Sequence, residues 1–158
     1  MPIIPFLALA GGVGWLAFAS SKKKAIADEQ AVMDAVKQAQ AMPEKAGYVL
    51  FGEDWHPGVI GIVASRVAEH FYRPALVLCR KEGQLKGSGR SIPEFDLHAG
   101  LASLGDLFLT FGGHRQAAGM SLVPERLEEL AERFDALVRS SFETMPSPGV
   151  LLDGKLPF

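Results

Sequence analysis

The chain has 158 residues, of which 48% are hydrophobic, and its formal net charge is -2 at pH 7. This length suffices for one globular domain with a small attachment but not for two full domains. The charge excludes a protein coated with basic residues, so contact with a polyanion would depend on a local patch. Cys79 is the single cysteine, which excludes an internal disulfide and fits a reducing compartment, and its apolar neighbours predict a buried packing role.

Residues 1–21 form an apolar N-terminal segment that is followed by three lysines, residues 22–24. The uncharged stretch is near the lower length limit for crossing a bilayer, and the lysines would keep the rest of the chain in the cytoplasm. Its prolines and glycines disfavour a helix, so an apolar part that packs on another domain, or an altered N-terminus, is equally consistent with it. We expect a cytoplasmic protein, with a membrane tether as the less favoured alternative.

Residues 22–44 have the composition of a connecting helix and linker, with a thin apolar stripe that ends at Met42 and Pro43. In residues 45–144, short strands are predicted at 48–51, 75–80, 85–92, 107–111 and 117–123. Helices are predicted after Pro57, after Asp96 and over 124–142. In the first of these, apolar spacing predicts a buried face made of Val59, Ile62, Val63, Val67 and Phe71.

These patterns predict an α/β domain, with a mixed β-sheet flanked by helices and preceded by the connecting helix and the apolar segment. Residues 145–158 begin as a linker rich in proline and glycine and continue as a strand-like stretch. We therefore expect them to lead into a further C-terminal domain.

Two polar segments framed by glycine are the strongest indication of function. They are Gly87-Ser88-Gly89-Arg90-Ser91 and Phe111-Gly112-Gly113-His114-Arg115-Gln116-Ala117-Ala118-Gly119. We expect loops in which glycine lets backbone N–H groups approach a ligand next to a cationic or titratable side chain, a combination that suits phosphate. Neither segment matches a Walker A loop or a dinucleotide-binding fingerprint. In the first, Arg90 would grip phosphate with two N–H groups, helped by the hydroxyls of Ser88 and Ser91.

Other candidate chemistry is weaker. The pairs Asp54/His56 and Asp96/His98 resemble fragments of a metal site, but Asp96 is better explained as a helix cap. His56 is open between loop structure and ligand contact. A serine hydrolase is disfavoured, because the sequence has no Gly-x-Ser-x-Gly elbow and no acid clearly placed to orient an imidazole.

Five motifs in order resemble the DHHA1 domain of the bacterial RecJ-type single-stranded-DNA-specific exonucleases, in the DHH phosphoesterase superfamily. The motifs span residues 55–66, Arg73-Pro74, residues 86–91, residues 95–98 and residues 111–119. The resemblance covers about residues 45–143, and it implies that the connecting helix leads from a catalytic DHH domain. No Asp-His-His triplet occurs in the 158 residues.

The resemblance implies a DHHA1 half that grips single-stranded DNA across a cleft from a DHH half, which holds manganese or magnesium. By position, the strand-gripping residues would be Ser88, Gly89, Arg90, Ser91, Gly112, Gly113, His114 and Arg115, with Trp55 and His56 at the cleft edge. No metal ligand or catalytic residue is expected in this chain, so we expect it to need a DHH partner. The alternatives are an RNA-binding or regulatory module, part of a phosphoesterase for short oligonucleotides, or a membrane-tethered form.

Overall fold

The structure is a computed structural model and describes residues 6–149. Its helices are α1 (Phe6–Gln40), α2 (Ile60–Phe71), α3 (Leu97–Ser103) and α4 (Leu127–Ser140). Its strands are β1 (Tyr48–Gly52), β2 (Ala75–Lys81), β3 (Gln84–Arg90), β4 (Thr110–Gly113) and β5 (Ala117–Leu122). Short 3-10 turns lie at Gly105–Leu107 and Pro124–Arg126. Within residues 6–149, no helix combines the length and apolar character that crossing a bilayer requires.

The five strands form one mixed sheet in the order β1-β2-β3-β5-β4. Strand β1 runs parallel to β2, and the other neighbouring pairs are antiparallel. Because side chains alternate along each strand, the sheet has two faces. Helices α3 and α4 cover one face and α1 and α2 cover part of the other, and each face has its own buried apolar cluster. The predicted α/β fold with a mixed, helix-flanked sheet is therefore confirmed.

Local signals in the sequence explain several element boundaries. The Asp96 carboxylate accepts a hydrogen bond from the Ala99 N–H at 3.0 Å and so caps α3, as predicted. The turn between β2 and β3 places Glu82 and Gly83 at positive φ, the conformation of the tight hairpin turns that glycine favours. Cys79 is fully buried, and burial raises the pKa of its thiol, as expected of a packing residue.

Three predictions differ from the structure. The glycine segments were expected as loops, but residues 87–90 lie inside strand β3, within the strand predicted at 85–92, and Gly112 and Gly113 belong to β4, so that only residues 114–116 of the second segment lie between strands. Ile62 was expected on the buried face of α2, but it is 49% exposed because the helix packs through Val63 and Val67. The glycines of the N-terminal segment were expected to disfavour a helix, but helix α1 begins at Phe6 and includes them. The division into segments 1–21, 22–44, 45–144 and 145–158 stays a prediction, and residues 1–5 and 150–158 lie outside the described residues.

Candidate nucleic-acid interface

Ser88 and Arg90 project from the face of the sheet that α2 partly covers. Their neighbours Gly87 and Gly89 point to the opposite face, where an added Cβ would lie 2.8 Å from Met120 Cγ and 2.7 Å from Leu76 Cδ2, respectively. These glycines are thus required by core packing. Because β3 pairs with β2 on one side and β5 on the other, its backbone groups belong to the sheet. The expectation that they would be free for a ligand is wrong.

The register of the strands extends this face from β3 to the edge of the sheet. Ser88 lies opposite Gly119, which lies opposite Gly112 on the edge strand β4. The rows on either side of this one join Lys86 to Ser121 and Thr110, and Arg90 to Ala117. We call the surface formed by these residues of β3, β5 and β4 the open face, in which Ser121 is itself buried, with its Oγ 2.6 Å from Thr110 Oγ1.

Two glycines on the open face have no packing reason for lacking a side chain. A Cβ added at Gly112 would meet nothing within 4 Å, and one added at Gly119 would meet only the Gly87 carbonyl oxygen, at 3.9 Å. Both residues are exposed, and neither has positive φ. Since glycine weakens a strand, a glycine without an internal cause indicates a place where an external group approaches the backbone closely.

Arg90 supplies a cation at the border of this face. Its Nη1 donates to the Gly89 carbonyl at 2.8 Å and to Ser88 Oγ at 3.2 Å. Its Nη2 lies 3.2 Å from where a Cβ of Gly61 would be, so a larger residue at that position in α2 would crowd the guanidinium. In the described part of the chain, no carboxylate lies within 4.0 Å of Arg90. The half-buried cation is therefore available to an anionic ligand.

A groove of about 440 Å³ opens beside Arg90, between the C-terminal part of α2 and the segment that follows β3. Polar groups in its lining include Ser65, Glu69, Tyr72, Ser91 and Gln116. Ser91 Oγ already donates to the Phe95 carbonyl at 2.7 Å. Its hydroxyl therefore holds the turn into α3, and only its acceptor lone pairs face other partners.

The second glycine segment contains an exposed turn, residues 114–116, at the same end of the sheet as Arg90. The His114 N–H donates to the Ala117 carbonyl at 2.7 Å, and Ala117 lies opposite Arg90. Gly113 has φ 152°, and a Cβ there would lie 2.3 Å from the Ala117 carbonyl oxygen, so only glycine fits. Arg115 Nη1 lies 3.6 Å from Asp96 Oδ2, an exposed pair that leaves the guanidinium partly free.

Trp55 and His56 lie elsewhere. Trp55 packs against Gly52, at the C-terminal end of edge strand β1. Arg90 and His114 lie toward the opposite end of the sheet, and Gly112 lies on β4, the other edge strand. His56 Nδ1 accepts a hydrogen bond from the Gly58 N–H at 2.9 Å. The strand register therefore does not bring these two side chains onto the open face. Their link to it is helix α2, which follows their loop and reaches Arg90 at Gly61.

No group of three or more histidine, cysteine, aspartate or glutamate side chains that could hold a metal ion occurs among residues 20–149. Asp96 acts as a helix cap, and His98 is exposed in the first turn of α3. Sequence reasoning did not name Lys86, Ser121 and Thr110 as site residues, and it included Gly119 in the second glycine segment without giving it a role. Alternation along β3 gives a signal only for Lys86, since it shares a face with Ser88 and Arg90.

The fold and its open face define a small α/β domain with a mixed five-stranded sheet. Residues 43–140 match the DHHA1 domain family, and the chain belongs to this family. The single-stranded-DNA-specific exonuclease RecJ of Dickeya dadantii is 42% identical over 116 residues, which are 70% of this chain and 20% of that protein. The chain thus spans about a fifth of the length of the curated relatives it matches.

Solved structures agree with this assignment. RecJ from Thermus thermophilus in complex with Mg²⁺ has a TM-score of 0.69 and 32% identity, over 81% of this chain and 20% of that one. The structure in complex with Mn²⁺ has the same TM-score and identity, over 81% of this chain and 19% of that one. The C-Ala domain of Aquifex aeolicus alanyl-tRNA synthetase matches 58% of this chain and 89% of its own, at a TM-score of 0.52 and 12% identity, and shares the fold alone.

Proposed function

We propose that this domain binds single-stranded DNA through phosphate contacts on the open face, as the strand-gripping half of a RecJ-type 5′ to 3′ exonuclease of DNA repair and recombination. The exonuclease names of the relatives support the substrate class. Cleavage in this proposal depends on a DHH domain that holds manganese or magnesium, and the isolated chain is inactive. The protein acts in the cytoplasm.

The observation that carries the proposal is the pair of exposed glycines, Gly112 and Gly119, in register with Ser88. A polynucleotide backbone is bulky, and it can approach the backbone of a strand most closely where side chains are absent. The cations at the border, Arg90 and Lys86, supply the charge that holds phosphates over this surface. The net charge of -2 makes such a local patch necessary.

Each proposed residue has a distinct role in this arrangement. Arg90 donates to a phosphate from beside Ser88, and His114 and Arg115 hold the neighbouring phosphate at the exposed turn. Gly89 and Gly113 act indirectly, because their small size fixes β3 and the turn in place. Trp55 and His56 contact the strand only beyond the open face, at the edge of the cleft with a DHH domain.

The test is the binding of a fluorescently labelled single-stranded DNA oligomer, measured by anisotropy at several salt concentrations. Arg90→Ala should weaken binding and lower the slope of log Kd against log salt by about 0.7, the value for one phosphate contact on a single strand. The matched control is Arg80→Ala, because Arg80 pairs with Glu53 at the other end of the sheet. Equal behaviour of the two variants would remove Arg90 from the interface.

A second candidate is binding of RNA by a non-catalytic or regulatory module, because phosphate contacts on the open face would serve RNA as well as DNA. Competition between DNA and RNA oligomers of one sequence separates the two. Strong preference for RNA would indicate contacts to the 2′-hydroxyl and would replace the DNA proposal. Incubation of the labelled DNA with protein and Mn²⁺ tests cleavage, since a fall in anisotropy to the free-nucleotide value would contradict inactivity of the isolated chain.

A further inference from the structure

Beside the exposed turn, a group of aromatic rings lies on the outer edge of the sheet. Phe111 of β4 is 36% exposed, although its partner in the pairing with β5, Met120, is buried in a core. Its ring centroid is 5.6 Å from that of Phe108 and 6.1 Å from that of His98, which is exposed at the start of α3. We call Phe108, Phe111 and His98 the edge aromatics.

The edge aromatics adjoin the phosphate-binding surface proposed above. The Leu97 N–H donates to the Arg115 carbonyl at 2.9 Å, so His98 follows directly on the contact between α3 and the exposed turn. Phe111 precedes Gly112 on the edge strand. Because Gly112 has no side chain, no side chain of this residue projects between the open face and the rings. Phe111 projects from the opposite face, in line with Met120 and Gly87, so a strand on the open face reaches the rings by passing over the edge at Gly112.

We propose that the edge aromatics stack against nucleobases of the bound single strand, while the open face and the turn hold its phosphates. This inference rests on the proposed function and adds a base-contacting site to it. Proteins bind single-stranded nucleic acid without sequence preference through exposed aromatic rings beside cations, because every base has a π face that can stack on a ring. The rings of Phe111 and His98 offer such surfaces with their centroids 6.1 Å apart, and His98 directly follows the residue whose N–H donates to the Arg115 carbonyl.

A protein partner pairing with edge strand β4 is the competing occupant of this surface. Base stacking is favoured because Phe111 is next to Gly112 of the glycine row on β4, and because the turn that carries Arg115 contacts the start of α3, which carries His98. The exposed Leu109, at 51%, lies next to β4 and provides the comparison. An apolar docking surface would use Leu109 as much as Phe111, whereas stacking requires the ring.

The experiment compares two single-stranded oligomers of equal length and charge, one of thymidines and one with abasic sugars in the interior. The wild-type chain should bind the thymidine oligomer more tightly. Phe111→Leu should weaken that binding by about 5- to 150-fold, the range for loss of one base stack, and leave binding of the abasic oligomer unchanged. Phe111→Tyr should restore the preference, and His98→Ala, at an exposed position, should reduce it without disturbing the fold.

Several outcomes would overturn the inference. Leu109→Ala weakening DNA binding as much as Phe111→Leu would indicate a general apolar surface, and an equal loss on both oligomers would indicate a disturbed phosphate surface. No preference of the wild-type chain for bases would refute stacking while leaving the phosphate proposal intact. Failure of the wild-type chain to bind either oligomer would refute both proposals.

Discussion

Replacement of Gly112 tests whether this glycine serves ligand binding or internal packing. A Cβ at this position meets no atom of the described chain within 4 Å, and the residue is exposed on the edge strand. Alanine or valine should therefore stabilise the folded state, by about 0.5–1 kcal/mol for alanine, because glycine loses more backbone entropy on folding. In a chain of this size, 1 kcal/mol corresponds to a rise in Tm of roughly 2–4 °C.

Gly89→Ala is the matched control, because the same methyl group is added one strand position from Ser88 but on the buried side. There its Cβ would lie 2.7 Å from Leu76 and 2.9 Å from Leu97, whose side chains are fully buried. Overpacking of this kind costs about 1–3 kcal/mol, so the Tm should fall. Thermal unfolding followed by circular dichroism gives both values, and opposite signs are expected for the two substitutions.

Binding of single-stranded DNA should respond differently from stability. Alanine at position 112 should weaken binding about fivefold, and valine should weaken it further, because the added atoms occupy the space of the polynucleotide backbone. If Gly112→Val is stable and binds DNA as tightly as the wild-type chain, the strand does not lie on the open face. A fall in Tm for Gly112→Ala would instead show that the packing argument for this residue is incorrect.

Two further predictions concern the scaffold that holds the site. Asp135 accepts hydrogen bonds from the backbone N–H groups of Ala46 at 2.6 Å and Gly47 at 3.3 Å, so Asp135→Ala should cost about 1.5–3 kcal/mol in denaturant unfolding. Burial raises the pKa of this carboxyl, but the hydrogen bonds outweigh the burial and lower the pKa below its ordinary value of 3.8. The stabilisation that the carboxylate gives to the folded state should therefore be lost as the pH falls through the lowered pKa, and in Asp135→Asn this pH dependence should be absent. Gly113→Ala should lower stability by about 1–3 kcal/mol and weaken DNA binding, because the Cβ would lie 2.3 Å from the Ala117 carbonyl oxygen, and unchanged unfolding and binding curves would contradict this.

Much of the fold follows from local sequence. The apolar spacing in α4 predicts the face that buries Leu130, Phe134 and Val138, and the position of Asp96 directly ahead of an apolar run predicts the cap of α3. The motifs of residues 55–119 also indicate the DHHA1 family, and the match of residues 43–140 to this family confirms that prediction. Each helix face, cap or motif depends on residues only a few positions apart, so it can be recognised without knowledge of the tertiary structure.

The composition of the candidate site can likewise be read from the sequence, because glycines stand next to Arg90 and His114 in two short polar segments, a combination that suits phosphate. The tertiary structure alone decided what each glycine does. Gly89 faces the core and Gly112 faces outward, a difference set by the register between strands that are distant in the chain. The pairing of β3 with β5, which are distant in the chain, places the β4-β5 hairpin at the edge of the sheet and creates the open face, and no local pattern encodes this pairing.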